Sequence, residues 1–599
     1  MPIKTQMTTV LSPSESREQF GLRAPLRSRG HRGRWFARHD GVTALLVYLA
    51  IAVLWYRGVV MHMTSNCACG LGADPGDNAD FVWWLQWFVH ALGHGLPLLH
   101  PTVIWTPTGV NLAGTTASLL MGLVAAPVTL LFGPIAAYNV WMILGPVLSA
   151  WAANRLCRHI TVSAPGSAPA SLIAGATYGF SSFEIAHLVG HPQMVMMAGP
   201  ALLALYVIRL LDRTLSRRRF VVYTSLLLVA QIFISVEVTF TMTVVGAIAL
   251  AAFWATGTSA QRNLVKQLPT LAVPWLIAAI VTSWYTMQVL TAPAYADGAA
   301  YLYPTDLLSF LVPMPYTWVG GARLSVISAH FLGGANETTA YLGWPLLLVL
   351  GHYLFTQRRA RSARAIGLLL GVLTLWTLGP ILYVAGHVAS RLPYRLLTSL
   401  PLLSETLVGR ISVYLALAAA VVLAMWLASP HQRRWLAWTC GAFAVAALLP
   451  NLASPSARNV SVWQRPAFFY TSTYKRYLHR GESILPLPWG YEGESYVWQA
   501  HDGYYWNMAS GYWLFTPLPS WSSKIVDDLW LNEPQAGDGP RFRELLVKRH
   551  VSDVVVLGGY GKPWARTLRQ AGLRVTATVG GVTLYRVPPI GRTKPVKAP

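Results

Sequence analysis

GADPGDNADFVWWLQWFVHAL, residues 72–92, sets three carboxylates, Asp74, Asp77 and Asp80, directly ahead of a Trp-rich apolar run. Pro75 and Gly76 force a turn between the first two acids, and Trp83, Trp84 and Trp87 then share a helical stretch with Gln86 and His90. Large amphipathic rings mixed with polar groups suit a helix lying at a water–lipid boundary. Two readings of the acids remain open. Asp77 or Asp80 can cap the helix that follows, which leaves the others as solvated loop residues. Alternatively, one carboxylate at the boundary takes a proton from an acceptor hydroxyl while a neighbour binds a divalent cation through oxygen.

The rest of the chain shows that the boundary is a membrane. Of 599 residues, 54% are hydrophobic and 12% charged, where a soluble domain carries about 25% charged residues. So few charges cannot cover a water-facing surface of this size, which excludes a soluble enzyme and a disordered chain. The net charge of +23 is not a nucleic-acid footprint, because its position follows the membrane. Residues 1–40 form a basic tail with Lys4, Arg17, Arg23, Arg27, Arg29, Arg32, Arg34 and Arg38. Apolar stretches near 42–60, 136–154, 169–188, 195–211, 220–236, 239–256, 268–290, 340–356, 366–386, 408–428 and 435–453 are each candidate spans, a span needing about 20 residues. With the tail cytoplasmic, the clusters Arg155/Arg158, Arg213/Arg217–Arg219, Arg262/Lys266, Arg358–Arg364 and Arg433/Arg434 all fall inside, as the positive-inside rule requires. Residues 115–133 are apolar enough to cross, but crossing would reverse that pattern, so they are read as re-entrant or interfacial.

The reading is therefore a polytopic α-helical membrane protein with about eleven transmembrane helices. Residues 41–454 form the membrane domain, with a long first outer loop at 61–134, and residues 455–599 an extracytoplasmic α/β domain. The expected location is the plasma membrane. Strands are expected at 483–489, 553–559, 573–579 and 582–587, and helices at 540–550 and 562–572. The acids supply a check that the topology did not use. Between residues 41 and 454 they are Asp74, Asp77, Asp80, Glu184, Asp212, Glu237, Asp297, Asp306, Glu337 and Glu405, and all except Asp212 fall at or near the outer face.

Other outward residues carry possible chemistry. FEIAHLVGHPQ (183–193) offers Glu184, His187 and His191, either as ligands or acceptor-site lining or as ordinary polar residues at a helix end. Glu237 stands in an apolar hairpin, where an ionisable group is costly. Arg391, Arg395 and Arg410 are rare outward bases. They either form bidentate contacts to a lipid phosphate or snorkel to the interface. The four cysteines make no disulfide framework, and Cys67 and Cys69 are expected to have no role. The aromatic stretch 489–513 is read as core in preference to a sugar-stacking face. No Walker loop, dinucleotide fingerprint or nucleophile elbow is present.

Many spans, acids in the first outer loop (GADPGDNADF), interfacial helices after them and a final outer domain together resemble the GT-C superfamily of integral membrane glycosyltransferases. GHPQ (190–193) and NETTAYLGWPLLL (336–348), the latter holding Glu337, look like the bacterial branch that includes YfhO-like proteins. The resemblance implies inverting transfer of a sugar from a polyprenyl-phosphate donor to an extracytoplasmic glycan, lipid or protein. Asp77 matches the base by position, with Asp74 or Asp80 as its partner. Arg391, Arg395 or Arg410 would hold the phosphate, and Glu184, His187, His191, Glu237 and Glu337 would line the acceptor site. A divalent cation, Mg or Mn, would fall on Asp77, Asp80 and His191. A lipid-linked sugar transporter or a non-catalytic envelope-assembly protein is the alternative.

Overall fold

The computed structural model describes residues 31–69, 75–114, 117–164, 166–188, 190–292, 299–400, 402–430, 433–451, 461–489, 493–511 and 524–588. Asp74 and most of the basic tail lie outside them. Among the described residues, five helices are long and apolar enough to cross a membrane: Pro134–Ile160, Pro192–Leu211, Val236–Trp254, Asn263–Leu290 and Val408–Leu427. Each of the other expected spans also contains a helix: Arg217–Ile234 is unbroken over 18 residues, and several of the rest are shorter or broken. The 169–188 stretch divides into Ser167–Gly179 and Ser182–His187, where Ser181 accepts a hydrogen bond from the Glu184 N–H and starts a new helix. The 366–386 stretch stops being helical at Thr377. Gly379, at φ +72°, and Pro380 turn the chain into an antiparallel hairpin, β2 (Ile381–Val384) with β3 (His387–Arg391). The structure thus supports a multi-pass helical architecture but gives five clear spans where eleven are expected. Leu119–Phe132 has 14 residues, about 21 Å at 1.5 Å per residue, which is too short to cross alone.

The Pro134–Ile160 helix is the ruler of the fold. Near one end the Tyr138 hydroxyl donates to Asn78 Oδ1 at 2.5 Å, and Asn139 Nδ2 donates to the carbonyls of Met63 and Asn66 at 2.8 and 2.7 Å. Near the other, Arg158 pairs with Asp40 at 2.9 Å and His159 with Asp212 at 3.1 Å. Twenty residues separate Tyr138 from Arg158, about 30 Å of helix, which equals the hydrocarbon thickness of a bilayer. Buried apolar and small residues fill the interval.

The carboxy-terminal part forms a five-stranded mixed sheet in the order β6-β5-β7-β9-β8. Its strands are β5 (Ser483–Leu487), β6 (Asn507–Met508), β7 (Asp553–Leu557), β8 (Arg574–Val579) and β9 (Val582–Arg586). β7 is central, parallel to β5 and antiparallel to β9. All five of its residues are buried, as a strand covered on both faces requires. Helices at Asp538–Lys548 and Gly561–Gln570 fall at the expected places. Trp489, Tyr496, Trp498, Tyr504 and Trp506 are all buried, so this aromatic stretch builds core.

This sheet clasps the first outer loop. β1 (Asn66–Cys67) pairs with β4 (Ser461–Val462). The buried Arg549 donates to the carbonyls of Trp105 and Thr106 at 3.0 and 3.2 Å and to Thr108 Oγ1 at 2.9 Å. The expectation of an interfacial Pro75–His94 helix is not met, because its Trp83, Trp84 and Trp87 are buried in protein. Trp83 stacks on Trp87 at 5.5 Å and meets Tyr496 and Tyr504 edge-on. A second expectation also fails: Cys67 and Cys69 are joined by a disulfide, leaving Cys157 and Cys440 free.

Candidate active site

The Pro75–His94 helix begins at a proline, which lacks the N–H that a first helical turn leaves unpaired anyway. Asp77 therefore lies inside the first turn, where the positive end of the helix dipole favours its charge. Neither Asp77 nor Asp80 is the capping residue that one reading expected. Asp80, one turn on, points into protein and is buried. Asp77 stays a quarter exposed, and its Oδ2 lies 3.1 Å from His191 Nε2.

His191 reaches Asp77 because of how the chain turns after Ser182–His187. The Gly190 and His191 N–H groups both donate to the His187 carbonyl, at 3.2 and 3.0 Å, and Pro192 opens the next helix. Gly190 is held against Asn78: a Cβ there would stand 3.0 Å from Asn78 Oδ1. The GHPQ turn and the Asp77 helix are thus locked side by side. One turn back, His187 Nδ1–H donates to the Phe183 carbonyl at 2.8 Å, and its Nε2 faces Glu337 Oε2 at 3.9 Å. The His187 and His191 rings are 5.4 Å apart. Glu184, one turn before His187, is fully buried.

Glu337 leads to the second half of the site. Arg410 donates to Glu337 from Nη2 at 2.7 Å and from Nε at 3.3 and 3.4 Å, and to Glu237 from Nη1 at 3.0 Å. Burial alone would raise the Glu337 carboxyl, but the Arg410 charge outweighs it and holds it down at about 2. Arg410 rides on a tight turn, Val408–Ile411, which leads into the Ser412–Leu427 helix. Hydroxyls pin that turn: Thr339 and Thr377 donate to the Gly409 carbonyl at 3.1 and 3.2 Å. Gly409 must be glycine there, since a Cβ would come within 2.7 Å of the Tyr303 carbonyl oxygen.

The polar chain thus runs Asp77, His191, His187, Glu337, Arg410, Glu237, gathering five of the predicted site residues around Arg410. Tyr303 belongs to the same neighbourhood and was missed by sequence reasoning. Burial chiefly raises its phenol, and the charges of Glu337, Arg410 and Asp77 all act on it. One tyrosine among 26 carries no local signal that could have found it. Arg391 and Arg395 are exposed on β3 and on the turn after it, outside this cluster. Arg410, expected to grip a phosphate, instead engages two carboxylates.

Among the described residues, no group of three or more His, Cys, Asp or Glu side chains is arranged to hold a metal ion. Asp77 and His191 supply two donors, and the buried Asp80 does not complete a set with them. The Mg or Mn expectation does not fit these residues.

No family model matches the sequence, and no curated protein matches it. Solved structures do match. The mycobacterial arabinofuranosyltransferase AftD superposes with a TM-score of 0.56 at 16% identity, over 91% of this chain and 40% of AftD. The Archaeoglobus fulgidus oligosaccharyltransferase superposes with a TM-score of 0.51 at 12% identity, over 93% of this chain and 75% of that one. The chain therefore spans two fifths of the length of AftD. With its membrane helices, acidic first loop and clasping sheet, this protein has the fold of the GT-C glycosyltransferases.

Proposed function

We propose that the protein is a membrane glycosyltransferase that moves a sugar from a polyprenyl-phosphate donor to a hydroxyl of an extracytoplasmic glycan, lipid or protein. The observation that carries this reading is the Asp77–His191 pair, with Asp77 a quarter exposed, linked through His187 and Glu337 to Arg410.

A lipid-borne phosphate is already a good leaving group, so the chemistry requires a base for the acceptor. Asp77 takes the acceptor hydroxyl's proton as that oxygen bonds to the anomeric carbon. The carbon–oxygen bond to phosphate breaks on the opposite face, and configuration inverts. His191 donates its Nε2–H to Asp77 and so aims the carboxylate. A transporter would need charged groups along a path open to both sides. The carboxylate cluster around Asp77 and Arg410 instead lies at one end of the helices, which favours an enzyme.

The Cys67–Cys69 disulfide supports an outward first loop, since disulfides persist in oxidising compartments. The test is transfer from a labelled polyprenyl-phosphate sugar by purified protein. Wild-type activity with Asp77→Asn inactive is expected. Full activity in Asp77→Asn would remove Asp77 as base, and accumulation of translocated donor without a glycosylated product would favour the transporter.

A further inference from the structure

Arg410 is held by two carboxylates that are not equivalent. Glu337 takes three of its contacts and is almost fully buried, with a side-chain exposure of 7%. Glu237 takes a single contact at 3.0 Å and is 32% exposed. Glu237 also sits in the first turn of Val236–Trp254, beside N–H groups that attract anions.

We propose that Glu237 is a resident counter-anion which the donor's phosphate displaces from Arg410. This rests on the lipid-phosphate reading above. Carboxylate and phosphate offer a guanidinium the same paired oxygens, so the phosphate fits where Glu237 now lies. Arg410 carries one positive charge against Glu237, Glu337 and the nearby Asp77, and an added phosphate would make a crowded anionic set. Glu337 is walled in by protein, whereas Glu237 can rotate into water. The exchange leaves Arg410 gripping phosphate on the Nη1 side, with Glu337 fixing the guanidinium from behind. The helix N-terminus that Glu237 vacates then faces the phosphate. Without lipid, Glu237 keeps Arg410 paired and the turn at Gly409 ordered.

The experiment measures binding of farnesyl phosphate to the full chain in nanodiscs, with farnesol as uncharged control and inorganic phosphate as a second probe. Glu237→Gln should bind farnesyl phosphate about tenfold tighter than wild type, which lies between the water-exposed and protein-surface values for like charges a few ångströms apart. Farnesol binding should not change. Arg410→Gln should lose the preference for phosphate over alcohol, and Arg410→Lys, which keeps the charge and loses the fork, should weaken it. Unchanged or weaker binding in Glu237→Gln overturns the proposal while leaving the donor class standing. Undiminished phosphate preference in both Arg410 variants overturns it as well. If wild type and Glu237→Gln both bind farnesyl phosphate no better than farnesol, the lipid-phosphate reading itself falls. Tightening seen with inorganic phosphate alone would assign the site to a free anion and overturn the lipid form.

Discussion

Asp77 and His191 form a unit in which one residue does chemistry and the other aims it. Replacing Asp77 by Asn keeps the shape and removes the base, so transfer should fall by about 10²–10⁴-fold, the usual worth of general base catalysis. Folding, read by thermal melting, should be unchanged. His191 acts through Asp77, so its substitutions should grade with the donor they keep. His191→Ala should lose about tenfold in kcat, whereas His191→Gln, which retains an N–H, should recover part of that loss. Equal losses in the two variants would show that His191 does not act as a hydrogen-bond donor to Asp77. Asp77 was legible as one of three acids in the first loop, His191 as part of a polar helix-end stretch and Arg410 as a rare base outside the basic clusters. Their partners were not, because the pairs lie 114 and 73 residues apart in the chain, and spacing along the sequence says nothing at that range.

The Pro75–His94 helix is the element on which the site depends. Its far side is bolted to the Ser495–His501 helix: Trp83 Nε1 donates to Gln499 Oε1 at 2.7 Å, and Gln499 Nε2 donates to the carbonyls of Val103 and Trp506 at 2.8 and 3.1 Å. Gln499→Ala would take this partner from the buried Trp83 N–H and the Trp506 carbonyl at about 1–3 kcal/mol each, while the Val103 carbonyl keeps its bond from the Met508 N–H. Amide hydrogen exchange across residues 75–94 should quicken, and transfer should fall although no site residue has changed. Residues 81–92 look interfacial because their composition is amphipathic. A tryptophan facing lipid and one facing a protein layer read alike in sequence, since both environments are apolar with a few polar partners. The start of the Ser495–His501 helix carries a pH-sensitive group. Burial raises the Glu494 carboxyl to about 7, although its bond from the Gln464 N–H opposes the shift. A folded value above the ordinary 4.5 means that the native state binds the proton more tightly. Stability from this group is therefore present at acid pH and lost as pH rises through about 7. Glu494→Gln should protect the sheet from thermal unfolding more at pH 8 than at pH 5, and a difference of the opposite sign would refute this.

At the scale of the whole molecule, Pro134–Ile160 carries a polar anchor at each end. Arg158, Asp40, His159 and Asp212 hold one end, and the disulfide-bearing loop and the Asp77 site hold the other. In a chain whose native cysteines are replaced by serine, a membrane-impermeant thiol reagent applied to intact cells should label Lys548→Cys and leave Arg217→Cys unmodified, both positions being exposed. Labelling only after permeabilisation would reverse the topology, as would a reporter fused after Ser456 that is active only in the cytoplasm.

Composition and charge by themselves determined that this chain lives in lipid, which residues are expensive there, and where the late strands and helices fall. These follow from local physics: hydropathy over twenty residues, alternation over five, and the cost of a charge away from water. Tertiary structure alone decided how the expensive residues are used. It joined Cys67 to Cys69, broke two expected spans, buried the Trp helix against the Ser495–His501 helix, brought Tyr303 to the cluster and turned Arg410 toward Glu237 and Glu337. Each of these depends on contacts between distant segments, and their energies are set by burial and distance in three dimensions rather than by neighbours in the chain.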